Sequence, residues 1–524
     1  QNGAPRGEKY FVFYNPPVVN EQLGIRRGYL AESRRLAIDL IERKLQTLVF
    51  ANSRLATEVL TKYLKDAEGR HSLPAGAVRG YRGGYLPKER RAIEKALREG
   101  EIRAVVATNA LELGIDIGSL DAVVMAGYPG TIASTWQRAG RAGRRNTASL
   151  AVMVASSAPM DQFIIEHPEY FFERSPERAA VNPNNLEILL SHLKCAIFEL
   201  PVKEGERYGP HDAGELCTFL AELGFVHKSG GSWHWISDSY PADAVSLRAV
   251  TSDNFVVVDI TGEAKVIAEV DFPAALVTLH EKAIYLHEAR QYQVERFDYT
   301  GRKAYVRAVE CDYFTDAVDY TQVRSIEEFD SKPQQLAFSR HGEVRLNRQI
   351  VGFKKIKFYT MENIGAGHLS IPEQEIQTTA WWLHFSEEFL SQFRDLTPIQ
   401  KQNGLSALGN ALRTMAAVLL MCDPHDLGLA FSEEPLTADM RIEPHLYLYD
   451  ACPGGIGLSE PLFRISSLLI RNAYDLINQC PCESGCPSCV GPIGEVGDHG
   501  KAVALRFAST LLEGEVSLPA EPPF

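Results

Sequence analysis

Between Tyr10 and about Ser157, short apolar or β-branched runs alternate with stretches of helical periodicity. The runs are YFVFYN, QTLVFAN, GAVRGY, RAVVATN, DAVVMAG and SLAVMVAS, and the stretches between them include SRLATEVLTKYLKDA and PKERRAIEKALREG. This strand–helix alternation predicts a doubly wound parallel sheet covered by helices, an α/β lobe over residues 1–165. Ser53 stands where an N-cap belongs, and Pro87 with Glu89 marks a second helix start. NNLEILLSHLKCAIFEL and DAGELCTFLAELGF then give two helices, and VHKSGGSWHWIS places Gly230 and Gly231 between strand-like flanks. Helix, helix and hairpin predict a winged helix over 166–245. Trp233 and Trp235 in that hairpin are expected to face opposite sides.

From Leu247 to about Thr321 strand patterns dominate, as in NFVVVDI and KAYVRAVECDYF. After VGFKKIKFYT the pattern turns helical through ALGNALRTMAAVLLMC, passes the strand-like HLYLYDA and reaches a cysteine cluster. Residues 246–524 therefore read as a mixed α+β domain. In VGFKKIKFYT, Lys354, Lys355 and Lys357 stand among Phe353, Phe358 and Tyr359, which suits a single-strand groove or a lysine-protected sheet edge. No internal repeat or low-complexity tract interrupts the three regions.

Length supports this division, since 524 residues exceed what one core usually organises. The longest uncharged apolar run, near MAAVLLMC, is too short to span a bilayer, and nine cysteines are too few for a disulfide scaffold, so a cytoplasmic location is expected. The chain opens on Gln1 and a polar segment, which is read as a piece of a longer polypeptide. The net charge of −13 is unevenly spread: residues 1–150 hold 24 Lys and Arg against 15 Asp and Glu, and the remainder 30 against 52. A basic first region keeps a nucleic-acid partner open despite the acidic total.

TWQRAGRAGRR, residues 135–145, gathers Arg138, Arg141, Arg144 and Arg145 around Gly140 and Gly143. Arg141 and Arg144 present planar, permanently charged forks suited to stabilising charge during phosphoryl transfer; a solvated basic helix end would share their spacing. Upstream, ATNALELGIDIGSLDAVV places Thr108 and Asn109 at a strand end, Gly114 at a tight turn and Asp116 beyond it. No Gly-x-x-x-x-Gly-Lys-Ser/Thr loop occurs, and the late pair Gly500-Lys501 lacks the earlier glycine. CPCESGCPSC sets Cys480, Cys482, Cys486 and Cys489 at spacings that close a four-thiolate shell, structural Zn2+ first and an iron–sulfur cluster as its rival.

Together, TLVFANSRLATEVL, the ATNALELGID stretch and QRAGRAGR resemble motifs IV, V and VI of superfamily-two helicases. YDACPGGIGLSEPLF and the cysteine cluster resemble the zinc-binding MZB (DUF1998) domain of the Mrf-type bacterial DExH helicases, relatives of the eukaryotic Hrq helicases. The resemblance implies that the first region is the second RecA-like lobe of an ATP-dependent 3′–5′ DNA helicase acting in damage repair. It places Gln137, Arg141 and Arg144 toward ATP and Mg2+ held by a missing N-terminal lobe, and Gly114 and Asp116 in the nucleotide-coupling loop. Thr108 and Asn109 fall beside the DNA backbone, where Arg54 and Arg82 are added as candidate contacts because they follow strands. Single-stranded DNA or a fork is the expected partner, with a repair nuclease as a further one and no membrane. Without a phosphate loop the chain alone is expected to be inactive. The competing readings are a non-catalytic zinc-containing binding module and a translocase that does not unwind.

Overall fold

In the computed structural model, the described residues are 7–20, 25–68, 74–113, 115, 117–118, 120–143, 148–177, 182, 184–245, 254–435 and 442–512. The first region is a six-stranded parallel sheet. In spatial order its strands are Lys9–Tyr14, Ser149–Val154, Ala122–Ala126, Thr47–Ala51, Ala104–Ala107 and Val78–Tyr81. The central strands are buried on both faces because helices cover each side. Along Thr47–Ala51, Leu48 and Phe50 join one core with Ile93 and Ile132, while Val49 joins the other with Ile38 and Leu60. Ser53 caps Arg54–Lys65 by accepting from Ala56 N at 3.0 Å, and Pro87 opens Pro87–Arg98.

Helices Leu186–Glu199 and Ala213–Glu222 and the hairpin Val226–Ser229/Ser232–Trp235 build the winged helix. Its two-residue turn needs positive φ at both positions, which Gly230 (58°) and Gly231 (75°) supply. The opposite-face expectation for the tryptophans is corrected. Residues two apart on a strand share a face: Trp233 is buried in the domain core, Trp235 packs against that core, and His234 between them is exposed.

Next comes a five-stranded sheet spanning Asn254–Val309. Beyond it the strand pattern continues further than the sequence predicts. Tyr313–Gln334 and Ala337–Lys357 form a long antiparallel hairpin, which Gln374–Phe385, Ile442–Asp450 and Leu427–Pro435 extend. The run SIEEFDSK carries too many exposed charged positions to show apolar alternation, and its pairing to the second strand is what holds it extended. Lys354–Lys357 is not a sheet edge, because the strand pairs with Tyr313–Gln334 on one side and Asn363–His368 on the other. Phe358 is buried against Val59 and Tyr63 of the first lobe. Helices Pro398–Leu420, Ser466–Gln479 and Gly500–Leu512 cover this sheet, and their core is continuous with one face of the first lobe.

Candidate functional site

Strand Ala104–Ala107 ends at Thr108, whose hydroxyl accepts from Ala110 N at 3.4 Å and caps the turn Asn109–Leu111. Asn109 is exposed. The next residue, Glu112, joins this turn to the arginine-bearing helix Ile132–Ala139. Its carboxylate accepts from Ser134 Oγ at 2.8 Å and Arg138 Nε at 3.0 Å, while Arg138 also donates to Asn52 Oδ1 at 3.0 Å. The helix start is satisfied twice, by the Thr131 hydroxyl on Ser134 N and by the Glu177 carboxylate on Ile132 N and Ala133 N. Gln137 is exposed, beside a Trp136 that keeps 40% of its surface.

Arg141 does not face a cleft. It is 5% exposed, and its guanidinium donates to the carbonyls of Glu112 (Nε, 2.9 Å) and Ile115 (Nη1, 2.8 Å). Where the sequence reading has it reach a γ-phosphate, in this structure Arg141 braces the backbone at Glu112 and Ile115 from inside its own lobe. A buried guanidinium must fill its five donor positions locally, and the turned carbonyls after Leu111 offer that. Arg144, Gly114 and Asp116 lie outside the described residues.

Arg82, a candidate DNA contact, is instead placed inside the fold. It is 2% exposed and pairs with Glu58 at 2.8 Å, while donating to Tyr285 Oη at 2.7 Å and Leu286 O at 3.2 Å. The turn Glu288–Ala289, both at positive φ, is inserted here: Lys65 and Arg79 each reach Glu288 at 2.9 Å. Arg54 keeps part of its side chain exposed but pairs with Asp271. Both arginines belong to the seam between the first lobe and the five-stranded sheet. In the same seam His287 lies 4.6 Å from the Tyr85 ring, and burial, reinforced by Arg82 and Arg290, pushes its pKa down to about 3.

The four cysteines converge. Sγ separations are 3.5 Å for Cys480–Cys482, Cys480–Cys486 and Cys482–Cys489, and 3.7 Å for Cys486–Cys489. A disulfide requires about 2.05 Å, whereas four sulfurs each about 2.3 Å from a tetrahedral zinc stand roughly 3.8 Å apart. The set therefore fits a closed Zn2+ shell, which would order the knuckle and leave no position for a reacting water. Hydrogen bonding from the Cys480 thiol, then from Cys489, lowers the pKa of the Cys486 thiol.

Three family models divide the chain: the helicase conserved C-terminal domain over 32–146, the winged helix domain of ATP-dependent helicase HRQ1 over 181–250, and the MrfA Zn-binding domain over 408–490. The crystal structure of the DUF1998 helicase MrfA bound to DNA aligns at a TM-score of 0.72 and 44% identity, covering 98% of this chain and 67% of that one. This chain belongs to the DUF1998 helicase family. Another MrfA structure, bound to DNA and AMPPNP, aligns at 0.68 with 43% identity over 97% of this chain and 66% of that one. Among curated relatives, the ATP-dependent helicase YprA of Bacillus subtilis is 46% identical over 94% of the chain, and HRQ1 of Saccharomyces cerevisiae 31% over 94%. The chain spans 65% of the first relative's length and 47% of the second's. A structural Zn2+ is thereby the resident metal of the Cys480–Cys489 knuckle, and among the described residues no helix is long and apolar enough to cross a membrane.

Several residues that build the site gave no separate signal. Glu112 lies inside the quoted motif but reads as one acid among many, and Asn52 and Glu177 are distant in sequence from the helix they serve. Only the fold brings them together.

Proposed function

We propose that this chain supplies the second motor lobe, the winged helix and the zinc-braced accessory domain of an ATP-dependent 3′–5′ DNA helicase that works in DNA-damage repair. The reading is carried by the junction of Glu112, Ser134, Arg138 and Arg141, which ties the turn after Thr108 to the helix bearing Gln137. In this reading Thr108 and Asn109 meet the phosphate backbone without reading sequence. Gln137 and Arg144 face the triphosphate, and Asp116 acts in the nucleotide-coupling loop. A displacement of the DNA-side turn is then felt at the nucleotide-side helix through hydrogen bonds rather than through a flexible linker. MrfA's complexes with DNA and with AMPPNP support the same two ligands here.

ATP and Mg2+ are gripped by a lobe carrying a phosphate loop, a motif this sequence does not contain, so the chain by itself should not turn ATP over. DNA, single-stranded or at a fork, is the partner, and a repair nuclease is a further one in this reading. The test is Arg144→Ala in a protein that also carries the phosphate-loop lobe. DNA-stimulated ATP hydrolysis should fall by about 10³-fold, the lower end for an arginine finger, with DNA affinity nearly unchanged. Retained turnover would remove Arg144 from the site.

A further inference from the structure

Gly500-Lys501 fails as a phosphate loop, and the fold gives the lysine another occupation. Lys501 is the second residue of the helix Gly500–Leu512 and is 8% exposed. Its ammonium donates to Cys480 O at 2.7 Å and Cys482 O at 2.5 Å, and stands 3.6 Å from Cys482 Sγ. The knuckle can approach this closely because Gly485, at φ 112°, has no side chain: a Cβ there would stand 2.6 Å from Val490 and 3.4 Å from Lys501 Cβ. A lysine is almost never interred unless its charge is matched. Among the described residues, its partners are two carbonyls and a sulfur, with no carboxylate.

The match comes from the metal site. Four thiolates around Zn2+ carry a net charge of −2, and the two ligands on the Cys-x-Cys arm belong to the residues whose carbonyls the ammonium grips. Cys486 N, which donates to Cys489 Sγ at 3.4 Å, softens the other arm with a neutral donor only. We propose that Lys501 is the buried counter-charge of the zinc knuckle: a positioning residue that lowers the electron density on the Cys480 and Cys482 thiolates, sets their geometry and governs how tightly the metal is retained. The same electrostatics explains why a cation tolerates this site and why its stem is threaded through the Gly485 gap.

The test uses the zinc-loaded chain and its Lys501→Met, Lys501→Gln and Lys501→Arg variants, with a chromophoric chelator as zinc acceptor. Loss of a partner outside the metal's ligands weakens metal binding by about 10- to 100-fold, so Met and Gln should release zinc correspondingly faster and Arg should remain near the parent. In the cobalt-substituted proteins, the thiolate-to-cobalt charge-transfer band should move to lower energy in Met and Gln and stay in place in Arg. Gln separates charge from hydrogen bonding, since it donates to carbonyls without a charge. Should the Met and Gln variants fail to fold while the Arg variant folds, that rescue supports the requirement for charge. Parent-like zinc release and an unmoved band in Gln, or failure of Arg along with Met and Gln, overturns the proposal.

Discussion

The arginine junction and the cysteine knuckle are both built from side chains that repel one another, and they resolve that conflict in opposite ways. In the junction, Arg138 and Arg141 find acceptors within the chain: the Glu112 carboxylate, the Asn52 amide and the carbonyls of Glu112 and Ile115. In the knuckle, the neighbouring sulfurs stand 3.5 to 3.7 Å apart, facing chiefly one another, and Zn2+ from outside the chain completes them. A closed hydrogen-bond network holds a loop in place; an open donor set holds nothing until its cation arrives. The arginine junction is thus preorganised by protein alone, while the zinc-binding domain depends on metal supply.

The largest break in that comparison is Cys486→Ser. Structural zinc contributes on the order of 10 kcal/mol to small zinc domains, so the variant should lose stoichiometric zinc by metal analysis and melt its C-terminal helices early, with the first lobe's sheet retained. Equal zinc content would show that three thiolates suffice.

Next in size is Arg82→Met, which tests whether the seam follows the closed rule of the junction. Breaking a buried ion pair costs about 3–5 kcal/mol because Glu58 is left uncompensated. Denaturant unfolding should show a loss of that order, and adding Glu58→Gln should recover part of it.

Glu112→Gln keeps the shape of the junction and removes its charge, so about 1–3 kcal/mol should be lost. Hydrogen exchange in the Asn109–Leu111 turn should accelerate while the knuckle keeps its metal. Simultaneous zinc loss would mean the two regions are not independent.

Acid sharpens the comparison at the seam. With its folded pKa pushed down to about 3 from an ordinary 6.5, His287 stays neutral in the fold while the unfolded chain protonates below 6.5. Its contribution is therefore complete above pH 6.5 and is lost as pH falls toward 3, by up to about 1.4 kcal/mol per pH unit. His287→Phe should flatten that part of the stability profile, and an unchanged slope would place the titration elsewhere.

The smallest effect is expected at Gly231→Ala in the wing. At φ 75°, with nothing within 4 Å of the added carbon, the cost is backbone strain alone, about 1 kcal/mol. A melting shift confined to the winged helix would confirm that neither the junction nor the knuckle depends on it.

Local chemistry is what the amino-acid order settles by itself. Apolar runs buried on both faces write the parallel sheet, Ser53 and Pro87 write helix starts, the paired glycines write the wing, and four clustered thiols write a metal shell. Each rests on neighbours a few residues away, so each is legible in a linear string. The long hairpin Tyr313–Lys357 is not, since its charged rows are held extended by partners far along the chain. Nor are the directions of the arginines. Arg82 and Arg141 look like open cations in the string, yet a glutamate 24 residues before the first and carbonyls 26 to 29 residues before the second draw them inward. Burying an ionised group is unfavourable until its counterpart is in place, and only the tertiary structure decides where the counterpart stands. The same holds for Lys501, whose turn toward the knuckle depends on Gly485 leaving room for it.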